Sequence, residues 1–410
     1  MRKNGVNRKL TPIDGGVCAP EGFSANGIYC ELPSLLFLPS SAEKRENFAA
    51  VRSDKRCPTA CVYARGPLVG APVLVSKKHL RTGYGRAVVV TSGVANVGFA
   101  EGVKQAEALS RAFAKSAGVL TEETVVASTG KIGEKFPLDA FLSKMQALAD
   151  GLGKSEEKSL AAARAIMTTD ITPKQFAYAF DIGAYRCKIG GICKGSARVS
   201  PNMATTICVL TTDANVSPEM LQKALTVATR DTFNLLDIDG ASSPNDTVCI
   251  MANGRAGNFR IDYEDSEYEK FLYALEQTLE KVCKLMVSEE GEKGFSCKVT
   301  GMKSKSGART VARAVVSSLA VKKQFFTPTQ FLTEDILCAM QQSGEEFPIA
   351  KTEISLQSES GEIMLFEAGQ AYAFLTENVA RVLAGANAEI RIRVGNGNYY
   401  ATAFGRACRG

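Results

Sequence analysis

The stretch Lys194-Gly-Ser-Ala-Arg-Val-Ser-Pro-Asn-Met-Ala-Thr-Thr206 runs directly into the apolar Ile207-Cys-Val-Leu210. A loop rich in turn formers therefore feeds a short β-branched run, the pattern of a buried strand. The junction places Thr205 at the mouth of that strand, behind the small residue Ala204. A hydroxyl there is placed to attack its own preceding carbonyl, and Pro201 and Asn202 favour a turn that would present the bond. Cleavage between Ala204 and Thr205 would create a new N-terminus carrying a nucleophile and, in its α-amine, a base. On pattern alone, a Thr-Thr pair at a strand start also reads as ordinary β-branched preference.

Upstream, the same alternation of strands and helices recurs. Ala87-Val-Val-Val-Thr91 reads as a buried strand ending in the glycine-punctuated turn Ser92-Gly-Val-Ala-Asn-Val-Gly98. Residues 102–118 follow helical spacing, with Val103, Ala106, Leu109, Ala112 and Phe113 on one face. Thr124-Val-Val-Ala127 is a second strand, leading into Ser128-Thr-Gly-Lys-Ile-Gly133, and 155–167 reads as a helix. Residues 17–32 suggest strands joined by turns. Downstream, 206–212, 247–251 and 297–300 read as strands, and 217–233, 263–287 and 308–319 as helices, the first capped by Ser217 with Pro218 in its opening turn. The expectation is a mixed α/β protein in two packed units, since 410 residues exceed one simple core. The polar run Ser288-Glu-Glu-Gly-Glu-Lys-Gly294 is the expected linker.

Composition excludes several functions. Hydrophobic content of 45% and charged content of 22% are ordinary for a globular protein. The net charge of +6 is scattered, without the basic stripe and interleaved aromatics of a nucleic-acid binder. No apolar run reaches the roughly 18 residues of a membrane helix. The first nine residues lead into no apolar segment, and the twelve cysteines contain no CxxC pair. They are expected to be reduced, mostly buried thiols in a cytoplasmic protein. The single histidine, His79, follows Ser76-Lys-Lys in a polar run and is expected at the surface. One histidine supports no His-cluster metal site. Proton transfer near neutral pH would then fall to another group, and a free α-amine titrates near 7.7–8.0.

An acyl-transfer site also needs donors for a developing oxyanion. Thr129-Gly130, in a turn after a strand, offers a hydroxyl and an unhindered amide. Lys194 can hold a carboxylate, and Thr168 adds a hydroxyl.

The segment 194–206 resembles the cleavage motif of the ornithine acetyltransferase family, the bifunctional glutamate N-acetyltransferases of arginine biosynthesis. Further motifs match in order: Gly16-Val-Cys-Ala-Pro-Glu-Gly-Phe23; Gly70-Ala-Pro-Val-Leu-Val75, likened to the family's first strand pair; Ser92-Gly-Val-Ala-Asn96; and Ser128-Thr-Gly-Lys-Ile-Gly133. Met167-Thr-Thr-Asp170, Thr232-Phe-Asn-Leu-Leu-Asp-Ile-Asp-Gly240 and Ser243-Pro-Asn-Asp-Thr-Val248 complete the series. The resemblance implies that Thr205 is the autocatalytic and acetyl-carrying nucleophile and that Thr129 and Gly130 form the oxyanion hole. It implies that Thr168 and Lys194 bind substrate, with Glu290, or the nearby Glu292, in place of a substrate-contacting family glutamate. The implied reaction is a ping-pong transfer of acetyl from N-acetylornithine to glutamate without a cofactor, with acetyl-CoA as an alternative donor in some members. The implied architecture is a self-cleaving sandwich of β-sheets flanked by helices, with a smaller α/β unit over about 288–410. Its half-chains, 1–204 and 205–410, pair into a heterotetramer of two α and two β chains.

The C-terminal third departs from the family pattern. Phe326-Thr-Pro-Thr-Gln-Phe-Leu-Thr-Glu334 stands where the family carries an Asn-Trp-Gly-Arg motif, and Gly405-Arg-Ala-Cys-Arg-Gly410 where it carries an Asn-containing tail. Two alternatives stay open on that account. One is an amidase, aminopeptidase or acyltransferase for another amine on the same scaffold; the other is a paralogue without catalysis.

Overall fold

The computed structural model describes residues 9–32, 45–195, 206–289, 291–327 and 333–408. The fold is mixed α/β, as expected, and its residues fall into two compact units. One draws on Met1–Gly195, Asn202–Thr229 and Ser243–Leu279; the other includes Arg230–Ser242 and Glu280–Gly410. The strands of the first are β1 (Thr11–Pro12), β2 (Phe23–Ile28), β3 (Phe48–Tyr63), β4 (Tyr84–Val94), β5 (Thr124–Lys131), β6 (Lys174–Ile182), β7 (Tyr185–Lys194) and β8 (Ile207–Thr212). After β9 (Leu236–Asp237), which belongs to the second unit, β10 (Thr247–Ala252) returns to the first.

Along the sheet the order is β1-β6-β7-β8-β10-β3-β4-β5, with β2 added to β3. Strand β8, the apolar run that follows Thr206, lies inside this order with every residue buried. It pairs antiparallel with β7, Lys194 opposite Ile207, and parallel with β10, Thr247 opposite Ile207. The sixteen-residue β3 serves both arms of the sheet. Its first half pairs with β2 and β4, its second with β10, and the register shifts between Arg52 and Cys57. The inward faces of both arms share one core, in which Val51, Val88, Val90, Ile192, Val209 and Met251 are buried together.

Helices α1 (Ala71–His79), α2 (Gly102–Ala117) and α3 (Leu138–Asp150) build a second core with Phe48, Leu109, Phe113, Phe141 and Leu148. Helix α4 (Glu156–Ala165) is capped by the Ser155 hydroxyl, which accepts the Lys158 amide at 3.3 Å. Helix α5 (Pro218–Arg230) follows Ser217, whose hydroxyl accepts the Met220 amide.

Four expectations differ from the structure. Residues 70–75 open α1 rather than forming strands: Pro72 sits in the first turn, where its missing amide costs no hydrogen bond. His79, the last residue of α1, is buried and not at the surface; its Nδ1 lies 2.9 Å from the Thr124 carbonyl, to which it donates. The two intervening lysines are exposed while Ser76 and His79 turn inward, a three-residue spacing that a polar run conceals. The run 288–294 is not the linker: the units divide at Leu279–Glu280, inside the continuous α6 (Ser266–Val287). Residues 17–32 hold a single turn of 3₁₀ helix and only one strand, β2.

The second unit carries β11 (Gly294–Met302), β12 (Glu353–Ser358), β13 (Gly361–Glu367), β14 (Gln370–Ala371), β15 (Ala388–Arg393) and β16 (Tyr399–Arg406), ordered β14-β13-β12-β15-β11-β16-β9. Helix α7 (Lys305–Ser317) sends Val311 and Val315 into a core with Val299, Ile354, Leu356 and Ile390. The buried Lys322 ammonium pairs with Asp237 and also donates to the Ile238 carbonyl at 3.0 Å. All twelve cysteines are free and nine are buried, as composition suggested. Among the described residues, no helix is long and apolar enough to cross a membrane.

Strand β5 ends the sheet order, and α1 closes its edge. The Ser76 hydroxyl donates to the Val126 carbonyl at 2.7 Å and accepts the Val126 amide at 2.8 Å. Ser76→Ala would leave two buried backbone groups without those partners. Urea unfolding is expected to show a loss of about 1–3 kcal/mol.

Candidate active site

Strand β7 ends in Lys194, whose side chain is only 1% exposed. The residue read as part of a glycine-containing loop is thus the last residue of a strand, within a sheet interior. A buried ammonium must be surrounded by acceptors. Lys194 Nζ donates to the Thr168 hydroxyl at 2.7 Å and the Thr129 hydroxyl at 3.4 Å. Both threonines are buried. Three residues drawn from three separate motifs therefore meet at one point inside the first unit.

Asp170 braces this cluster. Its Oδ1 accepts the Lys174 ammonium at 2.9 Å and the Gly195 amide at 2.8 Å; its Oδ2 accepts the Thr168 amide at 3.2 Å. One carboxylate so ties the Thr168 turn to the end of β7. Burial by itself pushes this carboxyl up, but the charges of Lys194 and Lys174, with the Gly195 amide, outweigh it and hold it at about 2. From the other side, the Arg45 guanidinium donates to the Met167 and Thr168 carbonyls, at 2.9 and 3.2 Å.

Thr129 and Gly130 lie near the end of β5, opposite Ser92 and Gly93 of the parallel β4. Gly130 has φ +125°, and a Cβ there would stand 2.3 Å from the Gly93 carbonyl. Only glycine allows this approach of two backbones. The strand is held in place by Asn245, whose side-chain amide donates to the Ala95 carbonyl at 2.5 Å and the Ser128 carbonyl at 2.8 Å. The next residue, Asp246, accepts the Thr206 amide on Oδ1 at 2.7 Å, while the Thr206 carbonyl accepts the Thr247 amide at 2.9 Å. The loop before β10 thereby grips both the strand that carries Thr129 and the residue that follows Thr205. Burial drives the Asp246 carboxyl well above the usual range, against the opposing pull of the Thr206 amide and the Lys194 charge.

Ala204, Thr205 and Glu290 lie outside the described residues. Glu292 is exposed. Glu289 is buried and paired with Arg406 at 3.3 Å. Asp170, Asn245 and Asp246 received no role in the sequence reading, although each sits inside a quoted motif. Residue type and spacing gave no sign that their side chains bridge distant segments. Among the described residues no group of three His, Cys, Asp or Glu side chains could hold a metal ion.

Comparison with known proteins gives the class: the chain is an acetyltransferase of arginine biosynthesis. The ArgJ family model matches residues 39–408, and the chain belongs to the ArgJ family. The arginine biosynthesis bifunctional protein ArgJ of Symbiobacterium thermophilum is 35% identical over 397 residues, covering 96% of this chain and 95% of its own. The glutamate N-acetyltransferase of Methanocaldococcus jannaschii is 33% identical over 362 residues, with 87% and 85% covered. Among solved structures, the arginine biosynthesis bifunctional protein argJ from Bacillus halodurans is 28% identical, covering 48% of this chain and 98% of that one, with a TM-score of 0.43.

The Asp170 carboxyl titrates at about 2 in the fold against an ordinary 3.8. Its ionisation therefore contributes stability that is complete above the ordinary value and lost as pH falls toward 2. At 1.36 kcal/mol per pKa unit that contribution is about 2 kcal/mol. Asp170→Asn should flatten the acid limb of the stability profile by this amount, measured by urea unfolding between about pH 5 and pH 2.

Proposed function

We propose that this acetyltransferase is a self-cleaving glutamate N-acetyltransferase that uses Thr205 as its nucleophile. The observation that carries the reading is the convergence of Lys194, Thr168 and Thr129 on one buried point, in the first unit that also holds β8. In the cleavage step the Thr205 hydroxyl adds to the Ala204 carbonyl carbon, the amide becomes an ester, and water hydrolyses it. The chains 1–204 and 205–410 result, paired as a heterotetramer of two of each in the cytoplasm.

The new α-amine, one of the few groups that titrates near neutral pH in a chain with a single histidine, takes the proton of the Thr205 hydroxyl. The hydroxyl attacks the acetyl carbonyl of N-acetylornithine, and ornithine departs with the proton. Glutamate then attacks the acetyl-threonine ester through its amine and leaves as N-acetylglutamate. Thr129 and the Gly130 amide stabilise the oxyanion in both halves of the cycle. The Lys194 ammonium and the Thr168 hydroxyl hold substrate oxygens, and Glu290 attracts the substrate's ammonium. No cofactor enters this cycle; acetyl-CoA is an alternative acetyl donor to the same threonine.

The test is intact-mass measurement of the purified protein, before and after incubation with N-acetylornithine. Fragments ending at Ala204 and starting at Thr205 are expected, with the second gaining one acetyl group and Thr205→Ala remaining a single chain. A wild-type chain that stays whole would sink the cleavage. Cleavage without acetyl transfer to glutamate, but with hydrolysis of small amides, would move the protein to the amidase reading. Thr129→Val, which removes one oxyanion donor, is expected to lower kcat by about 10²–10³-fold in steady-state assays.

A further inference from the structure

Away from the candidate active site, β3 and β10 set two thiols face to face: in their antiparallel register Cys61 stands directly opposite Cys249. The kind of opposition decides how close they come. The Ala64 amide donates to the Asp246 carbonyl at 2.9 Å, which makes Ala64 and Asp246 a hydrogen-bonded pair. Antiparallel pairs alternate, so Tyr63–Thr247 is non-bonded, Val62–Val248 bonded and Cys61–Cys249 non-bonded. Gln222 gives the same answer independently. Its side-chain amide donates to the Cys61 carbonyl at 3.2 Å and accepts the Cys61 amide at 3.3 Å, so both polar groups of that residue point away from β10.

Facing residues of a non-bonded pair have Cα atoms about 4.5 Å apart and side chains on one face. A disulfide spans Cα separations of about 4.4–6.8 Å, so this pair can be bridged without moving either strand. Both side chains enter the same core, and hydrogen bonding to the Cys61 thiol, with burial, holds the Cys249 thiol well above the usual range. Cys193 and Cys208 also face each other, on β7 and β8. Both of those are wholly buried, and the Cys193 thiol turns to the Lys194 carbonyl at 3.7 Å. Cys61 differs in being reachable. It keeps 7% exposure, and Gln222, which clasps its backbone, is exposed. Access decides which thiols an oxidant meets.

We propose that Cys61 and Cys249 form an oxidation site, which hydrogen peroxide closes into a cross-strand disulfide between β3 and β10. The Cys61 sulfur attacks one peroxide oxygen: an S–O bond forms, the O–O bond breaks, and the departing hydroxide takes the thiol proton and leaves as water. The Cys249 sulfur then attacks the resulting sulfenic acid. The S–S bond forms, the S–O bond breaks, and the second hydroxide leaves as water with the Cys249 proton. Each sulfur gives up one electron, and the peroxide accepts both. Cys61 precedes the Ala204–Thr205 bond and Cys249 follows it, so the disulfide also joins the two half-chains. That consequence alone rests on the cleavage proposed above.

The test needs only the folded wild-type protein. It is treated with hydrogen peroxide, its remaining thiols are alkylated, and it is digested without reductant for mass spectrometry. The expected product is a pair of peptides joined through Cys61 and Cys249, two hydrogens lighter than their sum and separated by dithiothreitol. Alkylation of both thiols overturns the proposal, as does Cys61 carried to sulfinic acid beside an alkylated Cys249, or a Cys193–Cys208 disulfide formed in its place. Cys249→Ser is expected to leave Cys61 as a sulfenic acid that dimedone traps, where the wild type gives no adduct; equal trapping in both overturns it too. On a gel without reductant, the oxidised half-chains are expected to run as one band and to part when reduced. A chain that never cleaves overturns the cleavage, while the joined peptides still report the disulfide, so the two failures are distinct.

Discussion

The buried Lys194 ammonium organises the candidate site. Lys194 stands at the end of an interior strand, out of reach of bulk water, and its charge is tolerable only because acceptors from elsewhere in the chain are brought to it. Those acceptors arrive on different elements: Thr129 on β5, Thr168 on the turn after α4. The ionised Asp170 adds its field to theirs and ties the Gly195 and Thr168 amides together. Placing one cation in a sheet interior thus dictates the position of a turn, a strand end and a carboxylate.

The loop before β10 is the second organiser. Asn245 and Asp246 are neighbours in sequence but point their polar groups in different directions, one to the carbonyls of Ala95 and Ser128, the other to the amide of Thr206. Opposite faces of the same loop therefore set the spacing between the strand of the oxyanion donors and the start of β8. Asn245 and Asp246 are both nearly or wholly buried, so neither can relax into solvent if its partner shifts.

Elements with local periodicity were legible from sequence. Helix α2 keeps almost the bounds its apolar spacing predicts, with Ala106, Leu109 and Phe113 buried but Val103 exposed, and the β-branched runs of β5 and β8 became strands buried as expected. What escaped was set by partners far along the chain. Nothing near Lys194 reveals that its amine will meet residues 26 and 65 positions away. Ser76-Lys-Lys-His79 reads as polar, yet its first and last members are buried by contacts with β5. The stretch 70–75 has strand-like composition and becomes helix because Pro72 suits a first turn and the apolar residues of α1 then face a core. Asp246 was quoted in a motif but its chemistry depends on burial, which spacing does not encode.

Strand β8 lies between β7, which precedes it in the chain, and β10, which follows it. A backbone break ahead of β8 would cut none of the ladder hydrogen bonds that join these three strands. It would, however, change what unfolding means. Before the break, β7 finds β8 as part of one polymer, at the high effective concentration that a short connection provides. After it, the two strands belong to separate molecules, and their reunion becomes second order in protein concentration. Reversible stability would belong to the precursor, whereas the product would persist by the height of its unfolding barrier. The sheet would then be a record of an earlier covalent state, assembled once and not readily rebuilt.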